Sequence, residues 1–220
     1  MTNQTIFRIP FYIFLMWGIF LPKLGYTSNG GLISVAGSTD DMGFVNGGHT
    51  CALYYDGSVA CWGSNKEGES IPPTGSFIQI STSEDYTCGI RTDGTVACWG
   101  LNDAEQTNSP AGTFSNISTR GNHSCGVKTD GSIACWGSDS EGQSTPPLDN
   151  TNFSQVSAGW KHTCGLKTDG SVICWGKDYS GVTTPPSETF TQISAGSYHN
   201  CGIKTDGTIA CWGSDSSGQS

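Results

Sequence analysis

One block of about 37 residues recurs five times along this chain. Its most legible copy reads Cys-Gly-Ile-Lys-Thr-Asp-Gly-Thr-Ile-Ala-Cys-Trp-Gly at residues 201–213, and related copies lie at residues 51–63, 88–100, 125–137 and 164–176. The first cysteines of successive copies are 37, 37, 39 and 37 residues apart. A fixed period of this length indicates one supersecondary unit stacked on copies of itself, so fold and function belong to the array.

The composition favours β-structure. The chain has 31 glycines and 9 prolines, and only 13% of its residues are charged, so turn formers are abundant and helix formers are scarce. A short β-forming segment precedes four of the cysteine blocks, at residues 77–80, 114–117, 153–156 and 190–193. Three plain strands and a short fourth per repeat fit the blade of a β-propeller better than a solenoid coil. We predict an all-β propeller of repeated antiparallel blades at residues 44–220.

The ten cysteines form five pairs, with nine residues between the members of each pair. Each pair brackets a Thr-Asp-Gly or Tyr-Asp-Gly sequence, which favours a type I turn followed by a G1 bulge. In that register Cys201 lies opposite Cys211 in a non-hydrogen-bonded pair, where the Cα atoms approach most closely. We therefore predict one disulfide per repeat: Cys51–Cys61, Cys88–Cys98, Cys125–Cys135, Cys164–Cys174 and Cys201–Cys211.

Two other interpretations of the cysteines are disfavoured. Paired zinc ligands are usually two to four residues apart rather than nine, which disfavours a metal site. Ten buried thiols would be the expectation in a cytosolic protein. The beginning of the chain favours export instead, because Arg8 precedes an apolar run over residues 9–21 that is typical of a secretory signal peptide and too short to cross a bilayer.

These features give a domain scheme and a location. We expect residues 1–30 to be a signal peptide with a short linker and residues 31–43 to be an N-terminal segment that could add a strand. The protein is predicted to be secreted or to lie in the cell envelope, with no membrane insertion after cleavage of the signal. The net charge of −9 becomes −11 once Arg8 and Lys23 are removed, which disfavours nucleic acid and anionic lipid as partners.

The sequence carries no recognisable catalytic motif. It contains neither a Gly-x-Ser-x-Gly elbow nor a phosphate-binding loop, so we predict no enzyme activity, no catalytic residue and no cofactor. The Asn/Asp-x-x-Gly turns could suggest calcium, but they lack the dense alternating acids of a calcium loop, and no bound metal is predicted. These turns begin at Asn65, Asp139, Asp178 and Asp215.

Histidine and tryptophan recur at fixed repeat positions. The four histidines, His49, His123, His162 and His199, each lie two residues before a repeat's first cysteine, and Tyr86 takes that place in the second repeat. Equivalent positions in a propeller are spread around an axis, so we expect a contact inside each blade rather than a shared metal. The five tryptophans Trp62, Trp99, Trp136, Trp175 and Trp212 are expected to pack between blades, with carbohydrate stacking as the alternative.

The fifth repeat, from Phe190 to Gln219, resembles the short form of the regulator of chromosome condensation repeat. Similar repeats occur in bacterial secreted proteins, in a propeller-type β-lactamase inhibitor protein and in the ectodomains of crinkly-type plant receptor kinases. The resemblance implies a β-propeller, usually of seven blades, so four complete repeats and a truncated fifth are expected to be part of such a ring, either in a fragment of a longer protein or with ends covered by another chain. Nucleotide exchange, the best-known activity of the family, is disfavoured because the even repeat period leaves no room for a wedge-like insertion.

The repeats vary most just before the repeated His or Tyr. These positions hold Glu84 and Asp85, then Trp160 and Lys161, and Tyr198, and they should form one ring of diverse side chains on the same side of the propeller. Rigid aromatic anchors such as Trp160 and Tyr198, with charged neighbours, are typical of interface hot spots. We predict a non-catalytic module that binds a protein partner or surface ligand through these residues. Packing of Trp160 against the next blade, and a structural or surface-display role in a longer envelope protein, are the alternatives.

The disulfide assignment is directly testable. Peptide mapping of the exported protein under non-reducing conditions should recover only the five links within repeats, because only these cysteines face each other across the bulged turn. Links between repeats, or alkylatable thiols throughout, would contradict the register and the predicted export together.

Overall fold

In the computed structural model, the structure describes residues 31–37 and 48–220, and these fold entirely as β-strands, turns and loops. The predicted all-β architecture is therefore confirmed, whereas the predicted signal peptide at residues 1–30 lies outside the described residues. The strands are β1 (Leu32–Gly37), β2 (His49–Tyr54), β3 (Val59–Gly63), β4 (Phe77–Thr82), β5 (Tyr86–Arg91), β6 (Val96–Gly100), β7 (Phe114–Arg120), β8 (His123–Lys128), β9 (Ile133–Gly137), β10 (Phe153–Ala158), β11 (His162–Lys167), β12 (Val172–Gly176), β13 (Phe190–Ala195), β14 (His199–Lys204) and β15 (Ile209–Gly213).

The strands form five antiparallel sheets, which we call blades 1 to 5 in chain order. Each blade is a meander of three consecutive strands, β1-β2-β3 in blade 1 and likewise to β13-β14-β15 in blade 5. The short fourth strand expected from the sequence is not formed in the described part of the chain. The segment that follows each third strand instead folds into turns, whose backbone N–H groups are held by Asn, Asp, Glu or Gln side chains rather than by a strand partner.

The hairpin between the second and third strands has the predicted geometry. In blade 5, Lys204 N donates to Thr208 O (2.8 Å), Gly207 N donates to Lys204 O (2.9 Å), and Gly207 adopts a φ of +84°, as a G1 bulge requires. Asp206 Oδ1 accepts hydrogen bonds from the hydroxyl and the N–H of Thr208, and these bonds lower the pKa of the Asp206 carboxyl. The turn is thus closed by backbone and side chain together.

This register brings the cysteines together. Cys201 pairs with Cys211, and the two Cα atoms are 4.0 Å apart. All ten cysteines form the five predicted disulfides, each within its own blade. Each bridge closes a short loop, which typically stabilises a fold by about 2–3 kcal/mol.

Consecutive blades pack face to face through the same apolar residues. At the joint between blades 2 and 3, Phe114, Ile117 and Trp136 of blade 3 pack on Cys88 and Ile90 of blade 2. The joint between blades 1 and 2 repeats this arrangement with Phe77 and Trp99, and the joint between blades 4 and 5 repeats it with Phe190 and Trp212. Full burial of one such side chain contributes on the order of 1.5–3 kcal/mol, so the core of the protein lies between blades rather than within them.

The first strands of neighbouring blades are also joined by polar side chains. Gln79 Nε2 donates to Ile117 O (3.0 Å), and Gln79 Oε1 accepts from Ile117 N (3.2 Å). Gln155 makes the same pair of bonds to Ile193 of blade 5. A serine two residues further on accepts the next backbone N–H of the following blade. These bonds fix the register of one blade against the next.

A glycine under each joint phenylalanine allows the close approach. A Cβ on Gly126 would lie 2.6 Å from Cδ1 of Phe114 in the same blade, and Gly89, Gly165 and Gly202 stand in the same relation to their phenylalanines. Blade 1 has Leu32 at the phenylalanine position and Ala52 at the glycine position, as its strand register shows. Blade 1 thus combines a smaller side chain with an alanine methyl group, where the other blades combine a phenylalanine ring with a glycine.

Gly126→Ala should therefore destabilise the protein. The added methyl group displaces the Phe114 ring, and overpacking of this kind costs about 1–3 kcal/mol. Thermal unfolding should shift down by about 2–4 °C per kcal/mol in a chain of this size. The matched control is Gly37→Ala, whose Cβ would meet only ordinary contact with Thr50 Oγ1 at 3.5 Å.

The Leu and Ala pair of blade 1 suggests a second experiment on the same contact. Adding Phe114→Leu to Gly126→Ala should cost less than the sum of the two single changes, because Leu leaves room for the methyl group. Strictly additive losses would show that the glycine serves some purpose other than seating the ring.

Candidate functional site

The variable residues predicted to bind a partner follow the first strand of their blades, at equivalent positions that we call the rim. The rim comprises residues 84–85, 121–122, 160–161 and 197–198. Its backbone is held in the same way in blades 2 to 5, because the carbonyl of the second residue accepts the N–H that follows the Trp-Gly pair. The acceptor carbonyls are those of Asp85, Asn122, Lys161 and Tyr198, with donor distances of 2.8–2.9 Å. A fixed backbone therefore carries side chains that differ from blade to blade.

Three aromatic residues meet on the rim between blades 4 and 5. Trp160 packs edge-on against Tyr198 (ring centroids 5.3 Å apart) and stacks on Tyr179 (6.3 Å), while Tyr179 and Tyr198 are 5.5 Å apart. Tyr198 is 40% exposed, and Trp160 and Tyr179 are half-buried. We call these three residues the aromatic cluster. Trp160 also lies against Gly121 of blade 3, so it contributes to packing between blades as well as to the surface.

Two lysines frame the aromatic cluster. Lys161 Nζ lies 4.9 Å from the Trp160 ring centroid, and Lys177 Nζ lies 5.0 Å from that of Tyr179. Both ammonium groups reach the same oxygen, Glu141 Oε1, at 3.4 and 3.0 Å. The hydrogen bond from Lys177 lowers the pKa of Glu141 and raises that of Lys177. Two cations therefore share one carboxylate beside the aromatic cluster.

Arg120 connects the rim across two blades. It lies at the end of β7 in blade 3, and its Nη2 donates to Ser197 Oγ of blade 5 at 2.8 Å. The equivalent positions in the other blades hold Ser83, Gly159 and Gly196, which are too short to span this distance. Arg120 thus ties the aromatic side of the rim together.

The structure brings together only part of the predicted partner-binding set. Trp160, Lys161 and Tyr198 converge, whereas Glu84 and Asp85 occupy the rim of blade 2, two blades away from this cluster. Sequence reasoning did not select Tyr179, Lys177, Glu141 or Arg120. Tyr179, Lys177 and Arg120 differ from the residues at the equivalent positions of the other repeats, which was a usable signal, whereas Glu141 has a counterpart in Glu67 of the first repeat. Tyr179, Lys177 and Glu141 lie in loops, and their approach to the rim depends on the fold.

The repeated histidines have a structural role, but the expected contact inside each blade is wrong. His123 Nε2 of blade 3 bonds Thr163 Oγ1 of blade 4 (2.9 Å), and His162 Nε2 bonds Asn200 Oδ1 of blade 5 (2.8 Å). His49 bonds Thr87 of blade 2 in the same way. Each imidazole ring thus contacts the next blade, because its side chain projects from the face of the sheet that the next blade covers. These three rings are fully buried.

Burial sets the protonation of the joint histidines. It lowers the pKa of His123 to about 4, with a smaller contribution from the nearby His162 ring, and it also lowers the pKa values of His162 and His49. Tyr86 replaces histidine in blade 2 and donates from its hydroxyl to His123 O at 2.6 Å. The pKa of this buried phenol is raised by desolvation, so it remains a neutral donor.

Four of the five tryptophans pack between blades as predicted, whereas Trp62 of blade 1 is 52% exposed, contrary to the prediction. Trp99 Nε1 donates to Glu69 O of the preceding blade at 2.9 Å, and Trp136, Trp175 and Trp212 donate to the equivalent carbonyls. The Asn and Asp residues of the turns likewise accept backbone N–H groups, for example Asp139 Oδ1 from Ser144 N at 2.8 Å. Their repetition is explained by turn formation. In the described ranges, no group of three or more His, Cys, Asp or Glu residues is arranged to hold a metal ion.

A family model described as the regulator of chromosome condensation (RCC1) repeat matches the chain in five segments. They cover residues 44–69, 77–106, 117–143, 153–182 and 190–219, which is more than half of the sequence. No curated protein gives a significant match.

Solved structures give the same fold. The ectodomain of the Physcomitrella patens receptor kinase CR4 superposes with a TM-score of 0.70 and 27% identity over 84% of this chain and 53% of that one. The CRINKLY WD40 ectodomain of the Arabidopsis thaliana receptor kinase ACR4 superposes with a TM-score of 0.68 and 27% identity over 84% of this chain and 70% of that one. Yeast RCC1 (Prp20), solved bound to Kap60, gives 0.65 at 18% identity over 76% of this chain and 54% of its own. The chain spans about half the length of the first and third of these proteins.

These likenesses confirm the suspected repeat family and the propeller fold. The number of blades in a closed ring stays a prediction. Within the described ranges, no helix is long and apolar enough to cross a membrane.

The buried histidines predict an acid-sensitive fold. The histidines ionise near pH 6.5 in the unfolded chain but resist protonation in the folded one, so below pH 6.5 the unfolded state binds more protons. The free energy of unfolding should therefore fall as the pH drops from 6.5 towards 4, and thermal unfolding at pH 7 and pH 5 measures this.

Substitution of single histidines tests whether this loss of stability in acid arises at the joints between blades. His123→Gln can keep a bond to Thr163 without titrating, so its unfolding midpoint should change less between pH 7 and pH 5 than that of the wild type. The matched control is His199→Gln, because His199 lies on the far face of blade 5 and is only partly buried. A midpoint that is constant or rises on acidification would contradict this account.

Proposed function

The chain belongs to the regulator of chromosome condensation repeat family, and on that premise we propose that it is a non-catalytic protein-binding module. Its disulfide-bonded blades form the rigid scaffold, and the rim presents the contact residues. The partner's recognition centres on Trp160, Lys161 and Tyr198, with Tyr179 and Lys177 beside them. Glu84 and Asp85 form a separate acidic sector of the same rim.

The aromatic cluster is the observation that carries this proposal. Aromatic side chains offer large contact areas with few rotatable bonds, and they are enriched among the residues that dominate binding energy. Here three rings from neighbouring blades are fixed by mutual packing and by Lys161 and Lys177, so little side-chain entropy remains to be lost on binding. A cluster of this kind on an invariant backbone is the arrangement that a docking surface requires.

An extracellular or cell-envelope location is part of the proposal. Five disulfides persist in oxidising compartments, and two of the most similar solved structures are receptor ectodomains at 27% identity. The apolar run at residues 9–21 supplies the export signal in this scheme. No membrane insertion is proposed for the mature chain.

Substitution of the cluster tests the proposal. Trp160→Ala combined with Tyr198→Ala should weaken capture of partners from the native extracellular fraction at least tenfold. The double change removes all three ring contacts, which are worth about 0.5–1.5 kcal/mol each, so the thermal midpoint should fall by roughly 3–18 °C. Tyr198→Ala alone, which removes the most exposed ring, should weaken capture with a still smaller effect on the midpoint.

The matched control is Tyr55→Ala. Tyr55 is 71% exposed but lies after β2 in blade 1, outside the rim, so its removal should leave capture unchanged. If the double variant loses stability and retains its partners, the cluster is scaffold and the binding surface lies elsewhere.

A further inference from the structure

The rim of blade 4 places two lysines side by side. Lys177 N donates to Lys161 O at 2.8 Å, and this is the bond that holds the rim in blades 2 to 5. The bond makes the two residues neighbours whatever their side chains are. The equivalent pairs are Asp85 and Leu101 in blade 2, Asn122 and Ser138 in blade 3, and Tyr198 and Ser214 in blade 5. Of these four blades, only blade 4 has two like charges in the pair, and adjacent like charges repel each other.

A carboxylate from another blade bridges the two ammonium groups. Glu141 follows β9 of blade 3, and its Oε1 atom lies 3.4 Å from Lys161 Nζ and 3.0 Å from Lys177 Nζ. Within the described residues, it is the only carboxylate in an ion pair with either lysine. Asp178, the residue after Lys177, instead accepts the backbone N–H of Thr183 at 3.0 Å. An ammonium group has three N–H donors, so donors remain on Lys161 for a second acceptor.

Glu141 can be replaced at this position without loss of the fold. The side chains of Lys161, Lys177 and Glu141 are 31%, 37% and 26% exposed. Ion pairs at such exposure contribute little to stability, because water screens them. The ammonium groups would stay where they are, since each also lies over a ring of the aromatic cluster, Lys161 over Trp160 and Lys177 over Tyr179. The rim therefore combines two positioned cations with an anion that is easily displaced.

We propose that an Asp or Glu carboxylate of a protein partner binds between Lys161 and Lys177, where it replaces Glu141. An aromatic or other apolar residue next to that carboxylate then packs on Trp160 and Tyr198, whose rings adjoin the lysines. A carboxylate is the group that fits, because both ammonium groups already reach one carboxylate oxygen of the chain itself. Glu141 is thus an internal competitor of the partner. This inference rests on the proposed function, since it names the partner chemistry for the same rim.

Selection from a random peptide library on the oxidised wild-type protein tests the proposal. Peptides that bind the wild type but not the Tyr198→Ala variant report on the aromatic cluster. These peptides should be enriched in Asp or Glu next to an aromatic or other apolar residue. One of them, and a copy in which its acidic residue is changed to the corresponding amide, then serve as the acidic and the amide probe in titrations.

Charge-neutral variants separate the competitor from the receiving cations. Glu141→Gln removes the competing charge, so it should bind the acidic probe about threefold or more tighter than the wild type and show no such gain for the amide probe. Lys161→Gln and Lys177→Gln should each bind the acidic probe about threefold or more weaker, with little change for the amide probe. The matched control is Glu67→Gln, which changes the equivalent loop position of blade 1 and should bind both probes as the wild type does. All four side chains lie at the surface, so the thermal midpoints should be retained.

The outcomes distinguish this inference from the proposed function. Selected peptides that depend on Tyr198 but show no preference for acidic residues would overturn the inference and leave the binding role of the rim in place. The same holds if Glu141→Gln binds the acidic probe no tighter than the wild type does, or if the two lysine variants bind it equally well. A selection that yields no peptide dependent on Tyr198 would contradict the proposed function and this inference together.

Discussion

The joint between blades is the interaction on which the rest of this structure depends. A single repeat of this kind cannot bury its apolar face alone, and here the buried phenylalanines and tryptophans lie between sheets. The joint between blades 4 and 5 combines an apolar layer, hydrogen bonds from Gln155 and to Ser157, an indole bond from Trp212 to the preceding blade and an imidazole bond from His162 to the following one. The other joints vary this set, for example with Tyr86 in place of histidine in blade 2. Stability in such arrays depends on nearest-neighbour interfaces as much as on the repeats themselves.

Structural features that depend on neighbouring residues in the chain were predicted from the sequence, and those that depend on contacts between blades were predicted less well. Short-range rules for the Asp-Gly turn were enough to place Cys201 opposite Cys211, because the register of a hairpin follows from its loop. The destination of the His123 ring could not be read in this way, since it depends on which face the next blade covers. The aromatic cluster shows the same limit, because Tyr179 lies in a loop and meets Trp160 and Tyr198 only in the folded array.

Repetition of the backbone and variation of the side chains are linked on the rim. The carbonyls that accept the N–H after each Trp-Gly pair are backbone atoms, so they constrain no side chain. Glu84, Trp160 and Ser197 can therefore stand at equivalent positions without cost to the fold. A surface of this design can change its chemistry one blade at a time, which suits a binding role and explains why the site is harder to identify from one sequence than the scaffold is.

The disulfides have a mechanical consequence. Each bridge joins residues ten positions apart and closes only the hairpin of its own blade, leaving the first strands and the loops outside. At about 3.5 Å per residue, one bridge withholds roughly 35 Å of chain from extension. Under tension an oxidised molecule would separate blade from blade while each hairpin stayed intact, and the hidden length would be released only by a reductant. The array would then extend as a series of disulfide-closed hairpins, and the blades would pack again when the force is removed.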